Sequence, residues 1–169
     1  GTLSVLLNGT HGKQFPCQCG VRQGDPLSPL IFVLAAELLQ AAINKASRAV
    51  QLHLPIPSHH DNYPVIQYAD DTIVVFPACP SQAQVLKGIM LDYALLVGLK
   101  INFHKSTLVP INMDPGTSSE MAAIFGCVVG QMPFTYLGLP MGKTRPMETD
   151  LMPMVTAVQR KIPAAVSLL

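Results

Sequence analysis

Two adjacent aspartates, Asp70 and Asp71, interrupt the most strand-like part of the sequence. Residues 65–68 and 72–76 on either side are apolar and rich in residues typical of strands, and a proline brackets the pair at each end. Two such runs around a short polar segment predict a β-hairpin. Because charges between apolar strands are costly unless they reach solvent, we expect both carboxylates at the exposed tip of this hairpin.

The carboxylate pair allows two interpretations. Aspartate is a common turn residue, so the tip could be a turn and nothing more. Alternatively, it could bind divalent metal, because Mg²⁺ takes oxygen ligands and usually binds one or two carboxylates together with substrate phosphates. Successive side chains on a strand face opposite ways, so we expect Asp70 to be the principal ligand and Asp71 the weaker one.

Two long helices are predicted from the spacing of apolar residues. Ser28, as an N-cap followed by a proline, begins the first, which we expect to span residues 29–47 and to be largely buried. Ser81 caps the second helix and Gly98 ends it.

The other elements predict an α+β fold. Residues 4–8 and 13–19 favour a hairpin around a turn at Asn8-Gly9. Thr117 and Glu120 are spaced as the capping box of a short helix. The order of strands and helices predicts an antiparallel sheet with helices packed on one face.

The composition excludes several classes of protein. Of the 169 residues, 49% are hydrophobic and 12% charged, which excludes a disordered tail. The net charge of +1 argues against a protein that grips nucleic acid by bulk charge. The longest strictly apolar run, residues 30–36, is far shorter than the roughly 20 residues of a membrane span, so we expect no membrane partner. The low charge also suits part of a larger protein whose apolar faces meet neighbours.

The cysteines and histidines do not form a recognisable metal motif. The four cysteines (Cys17, Cys19, Cys79 and Cys127) lack the spacing of a zinc site and are too few for a disulfide scaffold. We therefore expect them to be reduced and mostly buried, in a protein of the nucleus or cytoplasm that is not secreted. His53, His59, His60 and Asp61 could form a metal cluster, but the prolines among them favour a solvated loop.

Four segments resemble the motifs of reverse transcriptases, in the same order and at matching spacing. They are residues 20–32 (GVRQGDPLSPLIF), 68–71 (YADD), 98–106 (GLKINFHKS) and 134–138 (FTYLG). YADD alone would be a weak signal, whereas the four together are specific. The resemblance covers nearly the whole chain and is strongest to the LINE-type, non-LTR retrotransposon branch, particularly its plant copies.

The resemblance implies a partial palm subdomain of a right-hand polymerase over residues 1–140, and the start of the thumb or connection region over residues 141–169. It implies RNA-templated addition of deoxynucleotides to a primer 3′-OH, with Mg²⁺ or Mn²⁺ as cofactor. The implied partners are an RNA template, a DNA primer and deoxynucleoside triphosphates. Fingers, thumb and an endonuclease domain of a parent polyprotein are further implied partners.

The resemblance also assigns roles to individual residues. Asp70 and Asp71 take the catalytic, metal-binding roles. The nucleotide and template would lie near Arg22, Gln23, Gly24, Tyr68 and Lys105, and the primer end would lie on Phe134, Tyr136, Leu137 and Gly138. Arg22 could instead be a solvated loop residue and Lys105 an exposed turn lysine. The strand and turn at 134–138 are compatible with simple packing as well.

Three hypotheses remain. The family pattern includes a further aspartate on a strand upstream of Gly1, and Asp25 does not fit it. We therefore expect an enzyme fragment that is inactive alone, and an inactive or domesticated remnant is the alternative. A small metal-binding or hydrolase domain built on His59, His60, Asp70 and Asp71 is disfavoured, since a five-residue strand would separate the two pairs by about 17 Å.

Overall fold

The expected mixture of helices and strands is confirmed. A computed structural model describes residues 1–18, 20–56 and 62–166, with side chains up to residue 160. Within that part of the chain, four α-helices alternate with ten short strands. The chain divides into two compact units, Gly1–Ile101 and Asn102–Leu169.

The strands pair two by two, so the prediction of one antiparallel sheet is wrong for the described residues. The pairs are β1 (Thr2–Leu3) with β4 (Phe15–Pro16), β2 (Leu6–Leu7) with β3 (Thr10–His11), β5 (Val65–Tyr68) with β6 (Asp71–Val74), β7 (Thr107–Leu108) with β8 (Val128–Val129), and β9 (Phe134–Tyr136) with β10 (Leu139–Met141). Four pairs are antiparallel, and β7–β8 is parallel. The strands are only two to four residues long, and each pairs with a single partner.

The first hairpin forms around the predicted turn, with shorter strands than expected. Asn8 and Gly9 have φ values of +48° and +80°, the pattern of a type I′ turn. Two residues separate β1 from β2, whereas three separate β3 from β4. This extra residue is a bulge between two short ladders, β1–β4 and β2–β3, and β1 and β3 lie before the expected ranges 4–8 and 13–19.

The first helix, α1 (Ser28–Arg48), is buried only in its second half. Leu39, Ile43 and Ala46 are buried, and α1 packs against α2 (Pro80–Val97). Leu30 and Leu34 are 60% and 67% exposed. The prediction of a largely buried helix is therefore wrong, because apolar periodicity shows which side of a helix avoids water but not whether another element covers it.

α1 is long enough and apolar enough to cross a membrane. The core helices of soluble proteins meet the same criterion of length and composition. The buried second half of α1 makes specific polar contacts with Tyr63, just before β5, described below. Those contacts are the ones expected of a helix packed inside a folded unit.

Two of the predicted helix starts are shifted. Ser28 is not the N-cap of α1: its hydroxyl donates to the carbonyl of Arg22. Ser81 lies inside α2, which begins at Pro80. The Ser81 hydroxyl lies 3.1 Å from Sγ of Cys79, and this hydrogen bond lowers the pKa of the thiol. The predicted end of α2 is confirmed, since Gly98 caps the helix with φ of +78°.

In the second unit, α3 (Pro115–Phe125) connects the parallel strands β7 and β8. A crossover of this kind is what parallel strands require. The predicted capping box is wrong, because the N-cap is Asp114, whose carboxylate accepts a hydrogen bond from the Thr117 amide at 2.9 Å. Hydrogen bonds from the Thr117 side chain and from its amide lower the pKa of Asp114. The last helix, α4, spans Glu148–Val166.

The cysteines are less buried than expected. Cys17 is exposed, and Cys79 and Cys127 are half-buried free thiols. Cys19 and the segment that contains His59, His60 and Asp61 lie outside the described residues, so the predicted solvated loop stays a prediction.

Candidate functional site

The carboxylate hairpin forms as the sequence predicts. Tyr68 pairs with Asp71 across the ladder, and Ala69 and Asp70 make the two-residue turn. Ala69 has φ of +50°, a conformation that alanine rarely adopts. Asp71 belongs to β6, which begins one residue earlier than expected. Both carboxylates are exposed, so neither bears the desolvation penalty of a buried charge.

The two faces of the hairpin differ. Directly opposite residues share a face, so Tyr68 and Asp71 lie side by side on one face, and Gln67 and Thr72 lie on the other. Tyr68 is 61% exposed. The first face therefore presents a carboxylate next to an aromatic ring, with the Asp70 carboxylate at the adjoining turn.

The donor set fits a divalent ion of the Mg²⁺ type. Such an ion usually binds one or two protein carboxylates and completes its shell with water and substrate phosphates. Asp70 and Asp71 supply two exposed carboxylates on a short hairpin. Among the described residues, no group of three His, Cys, Asp or Glu side chains could hold a metal ion.

Hydrogen bonds tie β5 and the residues just before it to α1 at two points. Two residues before β5, the Tyr63 amide donates to Oδ1 of Asn44 at 2.8 Å, and Nε2 of Gln40 donates to the Tyr63 carbonyl at 3.2 Å. Near its end, Nε2 of Gln67 donates to the Ala36 carbonyl at 3.3 Å. Sequence reasoning missed these contacts. The available signal was a glutamine inside an apolar strand and two amides spaced four residues apart on a helix.

Tyr63 lies in the core beside these contacts. Its side chain is 2% exposed, and its hydroxyl has no hydrogen-bond partner among the described residues. Burial raises the pKa of Tyr63 to about 12. The phenol is therefore held neutral in the packed part of the first unit.

The loop before α1 is a series of tight turns. The Asp25 amide donates to the Arg22 carbonyl at 3.3 Å, so Gln23 and Gly24 occupy the corner of a β-turn. Gly24 has φ of +85°, which glycine adopts without steric cost. The Asp25 carboxylate then accepts from the Leu27 amide at 2.8 Å. These bonds hold Arg22, Gln23 and Gly24 at the start of α1 with exposed side chains.

Lys105 belongs to the second unit. It ends a 3₁₀ turn, Phe103–Lys105, and its amide donates to Oδ1 of Asn102 at 3.3 Å. Its side chain is exposed. This placement is compatible with both roles foreseen for it, a turn lysine and a phosphate contact.

The residues expected to hold a primer form a hairpin, also in the second unit. Phe134 and Tyr136 are half-buried in β9, and the Tyr136 hydroxyl has no partner among the described residues. Leu137 and Gly138 form the two-residue turn with φ of +51° and +83°. Leu137 is half-exposed and takes a left-handed conformation that is uncommon for a bulky residue.

The site residues thus fall into local groups. Asp70, Asp71 and Tyr68 meet in one hairpin of the first unit, which also contains the turn at Arg22, Gln23 and Gly24. Lys105 and the β9–β10 hairpin belong to the second unit.

Comparisons with known proteins agree with the motifs. Residues 2–141 match the family described as reverse transcriptase (RNA-dependent DNA polymerase). The chain is 31% identical over 115 residues to the retrovirus-related Pol polyprotein from type-2 retrotransposable element R2DM of Drosophila melanogaster, covering 68% of this chain and 10% of that protein. It is 33% identical over 109 residues to an uncharacterized mitochondrial protein of Arabidopsis thaliana, covering 63% of this chain and 87% of that protein.

The chain therefore spans about a tenth of the Drosophila polyprotein and most of the Arabidopsis protein. The family match covers most of the chain and includes the loop before α1, the carboxylate hairpin and the β9–β10 hairpin. The resemblance to reverse transcriptases and to non-LTR elements is confirmed: the chain belongs to the reverse transcriptase (RNA-dependent DNA polymerase) family.

Proposed function

We propose that this chain is the palm segment of an RNA-directed DNA polymerase, in which Asp70 and Asp71 bind divalent metal ions. The observation that carries the proposal is the hairpin geometry, which places two exposed carboxylates at and beside a two-residue turn. Membership of the family supports the polymerase reaction. The segment would span residues 1–140, with the thumb or connection region beginning over residues 141–169.

The reaction is transfer of a nucleotide to a primer 3′-OH on an RNA template, with release of pyrophosphate. Bound Mg²⁺ or Mn²⁺ would supply charge stabilisation and an activated hydroxyl. The carboxylates of Asp70 and Asp71 are exposed at the hairpin tip, where a metal ion can reach them. Tyr68 offers an exposed ring on the same face as Asp71, a surface on which a base or sugar could rest.

The remaining residues have positioning roles in this proposal. The turn at Gln23 and Gly24 presents a tight backbone corner to the nucleotide and template, with Arg22 available to a phosphate. Lys105 is a point-charge donor for the triphosphate. The primer end rests on the β9–β10 hairpin, where Leu137 projects from the turn.

Primer extension tests the proposal. The longest natural protein that contains this segment is assayed on an RNA template with a DNA primer, deoxynucleoside triphosphates and Mg²⁺. Asp70→Asn should lower the rate at least about 100-fold, because metal ligation contributes several kcal/mol to such transition states. Asp92→Asn, an exposed aspartate on α2, is the matched control and should leave the rate unchanged. Equal rates for wild type and Asp70→Asn would contradict the proposal.

The 169-residue chain alone is expected to extend no primer. Its described residues bring no third acidic or metal-binding side chain to the aspartates. Two carboxylates without a further protein ligand should hold catalytic metals poorly. Robust Mg²⁺-dependent synthesis by the isolated chain would show that this expectation is wrong.

A further inference from the structure

Segment 63–67, which includes most of β5, is attached to α1 at two points. Ala36 and Asn44 are eight residues apart on α1, which is about 12 Å along the helix axis. Tyr63 lies two residues before β5, where the Val65 amide donates to the Tyr63 carbonyl at 2.9 Å, and Gln67 lies within the strand. Asn44 meets Tyr63 and Ala36 meets Gln67, so this segment runs antiparallel to the helix with both ends attached.

These two attachments select one register of the strand on the helix. A slip of one residue would move the strand about 3.3 Å and exchange the two faces of the hairpin. Tyr68 and Asp71 now lie on the face opposite Gln67, which bonds to α1. After a slip, the Asp71 face would turn towards α1, and neither polar contact could form with its present partner.

We propose that Gln40, Asn44 and Gln67, which we call the polar clamp, are positioning residues that fix the register of β5 on α1. The polar clamp thereby keeps the Asp71 carboxylate on the open face beside Tyr68. The effect on metal binding rests on the function proposed above, whereas the effect on register does not.

Asn44 is the central member of the polar clamp. Its Oδ1 accepts from the Tyr63 amide at 2.8 Å and from Nε2 of Gln40 at 3.0 Å, while its Nδ2 donates to Oδ1 of Asn62 at 3.2 Å. Loss of this side chain leaves the Tyr63 amide without its acceptor. Aspartate at this position keeps the oxygen that accepts both bonds and loses only the donor to Asn62.

The longest natural protein that contains this segment is the test protein, with Asn44→Leu as the disrupting variant and Asn44→Asp as the conservative one. Gln84→Leu, at an exposed position on α2, is the matched control for replacing an amide by leucine on a helix. Free Mn²⁺ is measured by electron paramagnetic resonance to obtain the dissociation constant, and Asp70→Asn identifies binding at the hairpin. Amide hydrogen exchange of residues 65–74 reports the register, and circular dichroism selects a temperature at which every variant is folded.

Asn44→Leu should raise the Mn²⁺ dissociation constant about tenfold, the loss typical of residues that orient metal ligands. It should also speed amide exchange in the hairpin. The Mn²⁺ dissociation constants of Asn44→Asp and Gln84→Leu should stay within about twofold of the wild-type value. A purely structural role would lower stability without moving the Mn²⁺ affinity of the folded protein. If Asn44→Leu does not fold, Gln67→Met tests the other end of the polar clamp with the same readouts.

The outcomes separate the two proposals. Unchanged Mn²⁺ affinity and unchanged hairpin exchange in the disrupting variant would overturn the polar clamp. If wild type shows no Mn²⁺ binding that depends on Asp70, the metal site fails. Hairpin exchange then decides the polar clamp alone: faster exchange in Asn44→Leu than in Gln84→Leu supports it, and equal exchange overturns it.

Discussion

The two halves of α1 differ in their surroundings, and the more apolar half is the less buried one. The open half, residues 28–38, exposes Leu30, Val33 and Leu34, whereas the packed half, residues 39–48, buries Leu39 and Ile43. The packed half also contains the two helical amides of the polar clamp. The open half follows directly from the turn that contains Gln23 and Gly24.

This difference shows which half of α1 contributes more to the stability of the first unit. α1 packs against α2, and its packed half fixes the base of the carboxylate hairpin through directional hydrogen bonds. The open half has an apolar surface with much of its area in water. Substitutions of equal chemistry in the two halves should therefore have very different effects.

The largest effect is expected from Ile43→Ala. Ile43 is completely buried, and truncation at such a site removes apolar burial and leaves a cavity, at a loss of about 2–5 kcal/mol in the free energy of unfolding. Leu34→Ala, in the open half, should stay within about 0.5 kcal/mol of wild type. Urea unfolding followed by circular dichroism measures both. Equal losses would mean that the two halves are equally packed.

Tyr63→Phe should stabilise the packed half. A buried hydroxyl without a partner costs about 1–3 kcal/mol, so its removal should raise the free energy of unfolding by about 1 kcal/mol at neutral pH. The matched control is Tyr68→Phe, at an exposed tyrosine, which should change stability little. A loss of stability in Tyr63→Phe would indicate that the hydroxyl does have a partner.

The same variant tests the titration of Tyr63. Because its folded pKa is about 12 and the unfolded phenol titrates near 10, the unfolded chain releases a proton first as the pH rises. Wild type should therefore lose stability progressively between about pH 10 and pH 12, beyond what Tyr63→Phe loses. Parallel urea titrations at pH 9 and pH 11 measure the difference. Identical alkaline losses would contradict a buried neutral phenol.

A smaller effect is expected in α2, the partner of the packed half. Gly88 is an exposed helical glycine, and an added Cβ would meet nothing within 4 Å. Gly88→Ala should raise the free energy of unfolding by about 0.5–1 kcal/mol by reducing backbone freedom in the unfolded chain. Gly98→Ala is the control and should lower the free energy of unfolding, since φ of +78° strains any residue with a Cβ. Thermal unfolding measures both variants, and a destabilised Gly88→Ala would contradict the exposed placement.

The smallest effect on stability is expected from Leu30→Glu combined with Leu34→Glu. Both positions are exposed, so the free energy of unfolding should change by about 0.5 kcal/mol or less. Self-association should fall, since exposed apolar surface promotes it. Light scattering at increasing protein concentration measures this, with Lys45→Glu as the control for an added acidic residue on the exposed side of the packed half. A wild-type chain that stays monomeric and unfolds cooperatively would contradict the expected self-association.

Local chemistry in the sequence predicted much of the first unit. The Asn8-Gly9 turn, the carboxylate hairpin and the helix end at Gly98 each depend on a few neighbouring residues, and each is confirmed. The helix starts were predicted less well, because a serine next to a proline does not have to cap a helix. The Ser28 hydroxyl donates to the Arg22 carbonyl, and α1 begins without a side-chain cap.

Long-range features could not be predicted in the same way. Periodicity gave α1 an apolar side, but the exposure of Leu34 depends on which elements lie next to it. The pairing of β7 with β8 depends on a crossover by α3, which strand propensity does not encode. The polar clamp could not be predicted from the sequence either, because the hydrogen bond from Gln67 to Ala36 joins residues 31 positions apart.

The metal site itself can be tested most directly by nuclear magnetic resonance on the isotopically labelled 169-residue chain. Substoichiometric Mn²⁺ should broaden the amide signals of Tyr68 to Thr72 first, and Asp70→Asn should abolish this selectivity, with Asp92→Asn behaving as wild type. Broadening that is spread evenly over the exposed carboxylates, or that persists in Asp70→Asn, would contradict a divalent metal site on the carboxylate hairpin.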